Sequence, residues 1–274
     1  MTKKQSSQYR ISDELWEKIE PLLPKRENTH PFGGGRPPRP DRDCMDAFVF
    51  VLRTGSQWNA LNETTICPSS TAHDRFQQWA DAGVFWRFWQ EGIVEYDEFK
   101  GIDWEWLSGD GCQTKAPLGG EKTGRNPTDR GKLGTKRSVL TDGEGVPLGL
   151  AVAGANRHDK KLLAGTIHSV PVEYPMPQMS PNVCLDKGYD YDDIRQMLEQ
   201  FGFTAHIRGR GEEAQAKKRE AGQRARRWVS ERTHSWMNRF RRVLIRWEKK
   251  PKNYCAMLHF VCGVIAFRAA GLFG

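Results

Sequence analysis

Apolar positions in the first hundred residues recur with helical spacing. In "ISDELWEKIEPLLP" the residues Ile11, Leu15, Ile19 and Leu22 share a stripe, Ser12 stands where an N-cap belongs, and Pro24 closes the helix. "DRDCMDAFVFVLRTG" predicts a second helix stopped at Gly55. "SSTAHDRFQQWADAG" predicts a third, capped by Ser69 or Ser70 and stopped at Gly83, and "VFWRFWQEGIVEY" an aromatic fourth. Between the first two, the Gly/Pro/Arg connector at residues 30–40 excludes regular structure and carries Arg36 and Arg39. Short helices beside a basic arm suit a helix-turn-helix-type DNA reader, with Thr71 to Trp79 as its recognition element; a plain helical bundle would show the same pattern.

The pattern then changes period. "IDWEWLSGDGC" is strand-like, and "KRSVLTDGEGVPLGLAVAGAN" gives two strands around an Asp142-Gly143-Glu144-Gly145 turn. A helix ("HDKKLLAGTIHSV"), a short apolar strand ("NVCLDKGYD"), a helix ("YDDIRQMLEQFG") and a strand ("FTAHIRGR") follow. The last helices are expected at Gln223 to Trp247 and Asn253 to Arg268. The succession β-β-β-α-β-α-β-α predicts an α/β chain whose catalytic domain, residues 99–274, is a ribonuclease H-like mixed sheet, preceded by a small all-α domain at residues 1–98.

Charge sharpens this picture. The formal net charge is +8, yet residues 208–252 hold 16 Lys and Arg against 5 Asp and Glu, so the rest of the chain is net acidic. Such focusing suits a polyanion, because clustered cations release counterions from phosphates. The six cysteines contain no C-x-x-C pair and read as reduced, buried thiols rather than a zinc site. "FVCGVIAF" is too short to span a bilayer and reads as a buried helix. The N-terminus lacks a secretory pattern, so a soluble, cytoplasmic protein is expected.

Three acids occupy positions suited to phosphodiester chemistry. Asp110 is expected at the end of the first strand and Asp186 at the end of the apolar run "VCL", so the two converge if those strands are neighbours. On a wheel of the Gln223 to Trp247 helix, Val229, Trp236, Phe240, Val243 and Trp247 define the buried face. Glu231 falls opposite, with Arg227, His234, Asn238, Arg241 and Arg242. A surface ion pair of Glu231 with Arg227, worth only ~0.3–0.5 kcal/mol, is the plainer alternative. Hard cations prefer oxygen ligands, and a pair of them can neutralise a pentacovalent phosphorane while activating a weak nucleophile.

At these residues the chain resembles the bacterial insertion-sequence DDE transposases, of the IS-five-like group within the IS-four-type lineage. The resemblance covers nearly the whole chain. It is carried by "ISDELWEKIEPLLP", "GRPPRPDRDCMDAFVFVLRTGSQWNAL" and "SSTAHDRFQQW", then by "GDGCQTKAP", "GANRHD", "LDKGYD" and "RRWVSERTHSWMNRFRRVLIRWEK". It implies that Asp110, Asp186 and Glu231 are catalytic and hold two divalent cations, Mg²⁺ or Mn²⁺, and that Arg227 of the R-x3-E signature meets DNA phosphate. Where that signature has a base seven residues after the Glu, this chain has Asn238, which leaves Arg239 or Arg242 to supply the contact. Asn156, His158, Asp159 and Tyr189 are accessory candidates, Asp159 being equally suited to a helix N-terminus. With only 45 positions from Asp186 to Glu231, the catalytic domain should lack the β-rich insertion of some relatives. The implied partners are double-stranded DNA, as element ends and target, and a second or further copy of the chain on that DNA. A nuclease that cuts without joining and a non-catalytic DNA binder are the competing classes.

Overall fold

The computed structural model describes residues 9–25, 37–175, 180–207 and 228–272. The chain begins with α1 (Asp13–Ile19), where the Ser12 hydroxyl accepts from the Leu15 N–H, as its spacing predicts. Next come α2 (Asp41–Thr54), ended by Gly55 at φ 73°, α3 (Ser69–Asp81) and α4 (Val84–Lys100). The start of α3 differs from the expected serine cap. Pro68 occupies the N-cap, and the Ser69 N–H goes instead to the Asn62 side chain at 3.0 Å.

The sheet follows: β1 (Trp106–Lys115), the two-residue β2 (Gly124–Arg125), β3 (Leu133–Thr141), β4 (Pro147–Gly154), α5 (Lys160–His168), β5 (Asn182–Leu185), α6 (Asp192–Gln200) and β6 (Thr204–Ile207). β3 pairs antiparallel with both β1 and β4, while β5 and β6 continue from β1 in parallel. The spatial order is therefore β4-β3-β1-β5-β6, the mixed ribonuclease H-like sheet that the pattern predicts. The turn from β3 to β4 is tied by Asp142, whose carboxylate accepts from the N–H groups of Glu144 and Val146.

Adjacent residues of a strand face opposite ways, and β3 shows what lies on each side. Lys136 and Ser138 reach the α5 side, bonding Asp159 and Thr166, whereas Arg137 reaches α7 (Trp228–Asn238) on the other. The predicted Gln223 to Trp247 helix is thus corrected. Its start lies outside the described residues, and α7 ends at Asn238, before the short α8 (Arg241–Leu244).

The last helix, α9 (Pro251–Ala269), is buried nearly all round, as its apolar run suggests, and packs along α4. The crossing is close: a β-carbon on Gly263 would meet the Phe88 ring, so glycine is what lets the two helices touch. Phe88 stacks on Phe260, and Phe48, Phe76 and Phe85 extend the aromatic cluster into α2 and α3. Trp89 donates to the Pro147 carbonyl at 2.9 Å and Tyr96 to Asp142 at 2.8 Å, joining this helical layer to the sheet. One continuous hydrophobic core runs through both. Among the described residues, no helix is long and apolar enough to cross a membrane, and none of the six cysteines forms a disulfide, the Cys44 and Cys67 sulfurs lying 3.8 Å apart.

Candidate active site

Asp110 does not end its strand, as the sequence suggests, because β1 runs on to Lys115. What ends is its neighbour. β5 pairs with β1 only as far as Ser108 opposite Cys184, and Asp186 follows β5 directly, so the two aspartates hold equivalent places just past the parallel pairing. There β1 has lost its partner on one side, and a side chain on it can meet solvent.

Ser108 and Asp110 share a face, and that face looks at α7. Ser108 bonds Ser230 at 3.2 Å, and the His234 Nε2 lies 3.8 Å from the Asp110 carboxylate. Burial pushes the Asp110 carboxyl up to about 6; Asp186, Asp159 and Glu231 add to this, against a hydrogen bond from the Gly111 N–H. Glu231 itself is exposed, on the turn of α7 that passes this end of the sheet. Asp186 is half-buried and accepts from the Gly188 N–H at 2.7 Å, which fixes the turn carrying Tyr189. Tyr189 is buried among the acids, and its hydroxyl is held well above the ordinary tyrosine range, first by burial and then by Asp159, Asp110 and Asp186.

The expected outward face of α7 needs correction. The helix buries Val229, Ser230, Thr233, His234 and Met237, so His234 points at the sheet. Arg242 is likewise buried, held by Glu248 at 2.8 Å and by the Ser56 carbonyl, and has no guanidinium left for a phosphate. Arg239 remains exposed, while Arg227 and Arg36 lie outside the described residues. Arg39 pairs with Asp43 at 3.1 Å and donates to the Ile66 carbonyl.

Sequence reasoning missed Lys136 and Arg137. Two adjacent bases inside the apolar strand "TKRSVL" were the available signal, since buried cations need partners on both faces. Arg137 is fully buried and donates to His234 Nδ1, Asn238 Oδ1 and the Val243 carbonyl. Because a guanidinium cannot accept, His234 Nδ1 must be the acceptor, and the imidazole proton sits on Nε2, toward Asp110. Burial first, then Arg137, lowers His234 to about 3, so the ring is neutral.

On the opposite face, Lys136 bonds Asp159 at 2.8 Å and the Arg157 carbonyl at 2.9 Å. Asp159 makes no cap bond to α5; its carboxylate lies over Gly111, where a β-carbon would collide with it. We expect Gly111→Ala to push that carboxylate away and strand the buried Lys136, costing about 2–4 kcal/mol and lowering the urea midpoint. An unchanged midpoint would show that Asp159 moves aside freely. His158 is exposed and packs edge-on against Tyr191, and Asn156 rests on Gly124 and Gly154.

With this geometry in place, comparison with known proteins is direct. A family model described as "Transposase DDE domain" matches residues 109–263, and one described as "Putative transposase of IS4/5 family" matches residues 11–89. A putative transposase for insertion sequence element IS402 of Burkholderia cepacia is 36% identical over 153 residues, covering 54% of this chain and 70% of the relative. A 16.2 kDa IS402 protein of the same organism is 33% identical over 118 residues, covering 43% of this chain and 80% of its own. The crystal structure of the Mos1 mariner transposase catalytic domain aligns over 69% of this chain and 95% of its own at 10% identity, with a TM-score of 0.30.

The chain belongs to the DDE transposase family. It is a transposase, an enzyme that acts on the ends of a mobile element. Divalent-metal use comes with the family. The residues suit it: the acids present hard oxygen donors, and Asp159 Oδ1 is buried without a hydrogen-bond partner. Among the described residues, no three His, Cys, Asp or Glu side chains are drawn into a closed metal cage. Asp110 and Asp159 face opposite sides of β1, which keeps the carboxylates apart.

Proposed function

We propose that Asp110, Asp186 and Glu231 hold two divalent cations, Mg²⁺ or Mn²⁺, at the open end of β1 and β5, and that this site cuts and rejoins DNA. One observation carries the reading. Asp110 and Asp186 each follow the last parallel pair, Ser108 opposite Cys184, by two residues, and Glu231 is among the charges that raise the Asp110 carboxyl, which supports the reading. When bound, such cations supply an activated oxygen nucleophile and neutralise charge on the phosphorus under attack.

The chain's own residues do the positioning. His234 presents its N–H toward Asp110 at 3.8 Å, while Lys136 compensates Asp159 beneath the strand. Arg239 on the exposed side, with Arg227, supplies phosphate contacts. The α3 helix reads the element end, Arg36 and Arg39 of the connector add to its binding, and more than one copy of the chain holds the DNA.

The test is an incubation of the full chain with a linear duplex bearing the element end, a plasmid target and Mn²⁺. Joined product is expected, with end binding that weakens steeply between low and moderate salt. Cut but unjoined ends would assign a nuclease instead, and binding without cleavage in any metal would assign a DNA binder.

A further inference from the structure

Beside α7, on the side away from the sheet, lies a cavity of about 600 Å³, within the usual size range of small-ligand sites. It opens where α2, α4, α7 and α9 meet the β3–β4 turn. Arg53, Lys100, Arg232, Arg239 and Arg268 line it, against one carboxylate, Glu144. Among the described residues, none of the five cations makes an ion pair; Arg232 donates to the Glu144 backbone carbonyl at 2.5 Å and leaves its Nε buried without a partner.

Gathered like charges repel. Burial first and then Arg268 lower the Arg53 guanidinium below its ordinary range. The fold nevertheless fixes these groups. Arg53 stacks over the Phe240 ring at 4.5 Å and Arg232 over Trp236 at 4.8 Å, so aromatic faces hold the guanidinium planes in place. Five cationic side chains fixed around one space suit an anion. Tyr96, Trp236 and Phe240 add an aromatic wall that suits a nucleoside.

We infer that this cavity binds a phosphodiester of the DNA strand a few nucleotides from the one that is cut. The inference rests on the placement of Glu231 proposed above. Glu231 and Arg232 are neighbours on α7, one toward the acids and the other lining the cavity. A helix with its side chains is ~10 Å across, which a strand of duplex DNA covers in about three steps of ~3.4 Å along the duplex axis. A strand crossing α7 would thus reach the cavity with a phosphate about three nucleotides from the acids. The cavity then acts as a second fixed point, setting which bond lies over Asp110.

The probe is thymidylyl-(3′→5′)-thymidine, one phosphodiester between two nucleosides, titrated calorimetrically into the full chain at low salt. Binding at one site is expected, weakened about tenfold or more by Arg268→Gln or Arg53→Gln and unchanged by Glu231→Gln. The uncharged methylphosphonate analogue should bind as weakly as the variants do. No binding, equal binding by wild type and both variants, or equal binding of the uncharged analogue overturns the inference. So does tighter binding of thymidine monophosphate, which would assign the cavity to a free nucleotide. Element-end DNA titrated in parallel separates the two readings. Dinucleotide binding without end binding keeps the cavity and sinks the transposase-site reading, whereas end binding without dinucleotide binding does the reverse.

Discussion

Glu231→Gln is expected to lower strand cleavage by about a thousandfold while leaving folding and end binding at wild-type levels. The substitution keeps size and helix propensity and removes one negative charge from an exposed position, so stability has little reason to change. Asp110→Asn and Asp186→Asn should behave alike, and Glu220→Gln, an acid of the same basic stretch, should leave cleavage nearly intact. Ca²⁺ should support binding with little chemistry, because its looser coordination positions the attacking oxygen poorly. Acidity adds a second signature. The Asp110 carboxyl is raised to about 6, so it holds its proton further up the pH scale than a free aspartate, and metal binding must displace that proton. Mn²⁺ affinity, followed by electron paramagnetic resonance, should therefore fall as pH drops through 6 and level off above it. Wild-type cleavage by Glu231→Gln would remove the third ligand from the assignment.

Arg137→Met should cost about 3–5 kcal/mol of stability. The guanidinium is fully buried between the sheet and α7 and serves His234, Asn238 and the Val243 carbonyl together. A methionine fills much of the volume but leaves the buried His234 Nδ1 and the Asn238 side-chain oxygen without this donor, while the Val243 carbonyl keeps its hydrogen bond from the Tyr254 hydroxyl. Arg137→Lys should fall between, since one ammonium cannot span all three. Cleavage should drop as well, because His234 loses the donor that fixes its proton on Nε2 beside Asp110. Urea denaturation of the two variants checks the first effect. An unchanged midpoint for Arg137→Met would mean the acceptors find other partners.

The order of strands and helices was legible because each run of "KRSVLT", "PLGLAVAG" and "NVCL" is bounded by turn residues and follows a strand period. Asp186 was legible too, since the turn "KGYD" ends its strand at once. Asp110 was misplaced for a reason local sequence does not carry: its accessibility comes from the shortness of β5, not from an end to β1. The wheel misjudged His234 and Arg242 because it was continued through residues 239 and 240, where the helix breaks. Phe240 and Val243 then entered the average from outside α7 and rotated the inferred buried face. Lys136 and Arg137 were hidden by the pleat, which sends neighbouring bases to partners on opposite faces, far away in the chain.

The packing of α9 along α4 has a consequence for how the protein comes into being. The aromatic core around Phe88 is finished only by Phe260, Gly263 and Phe267, near the end of the described chain. As the polypeptide leaves the ribosome, helices α1 to α4 must wait, with their apolar faces unfilled, until α9 has been made. A chain terminated before Pro251 would hold all three acids, yet it would lack the helix that closes the core beneath the N-terminal layer. Synthesis through α9 thereby becomes a condition for a stable molecule.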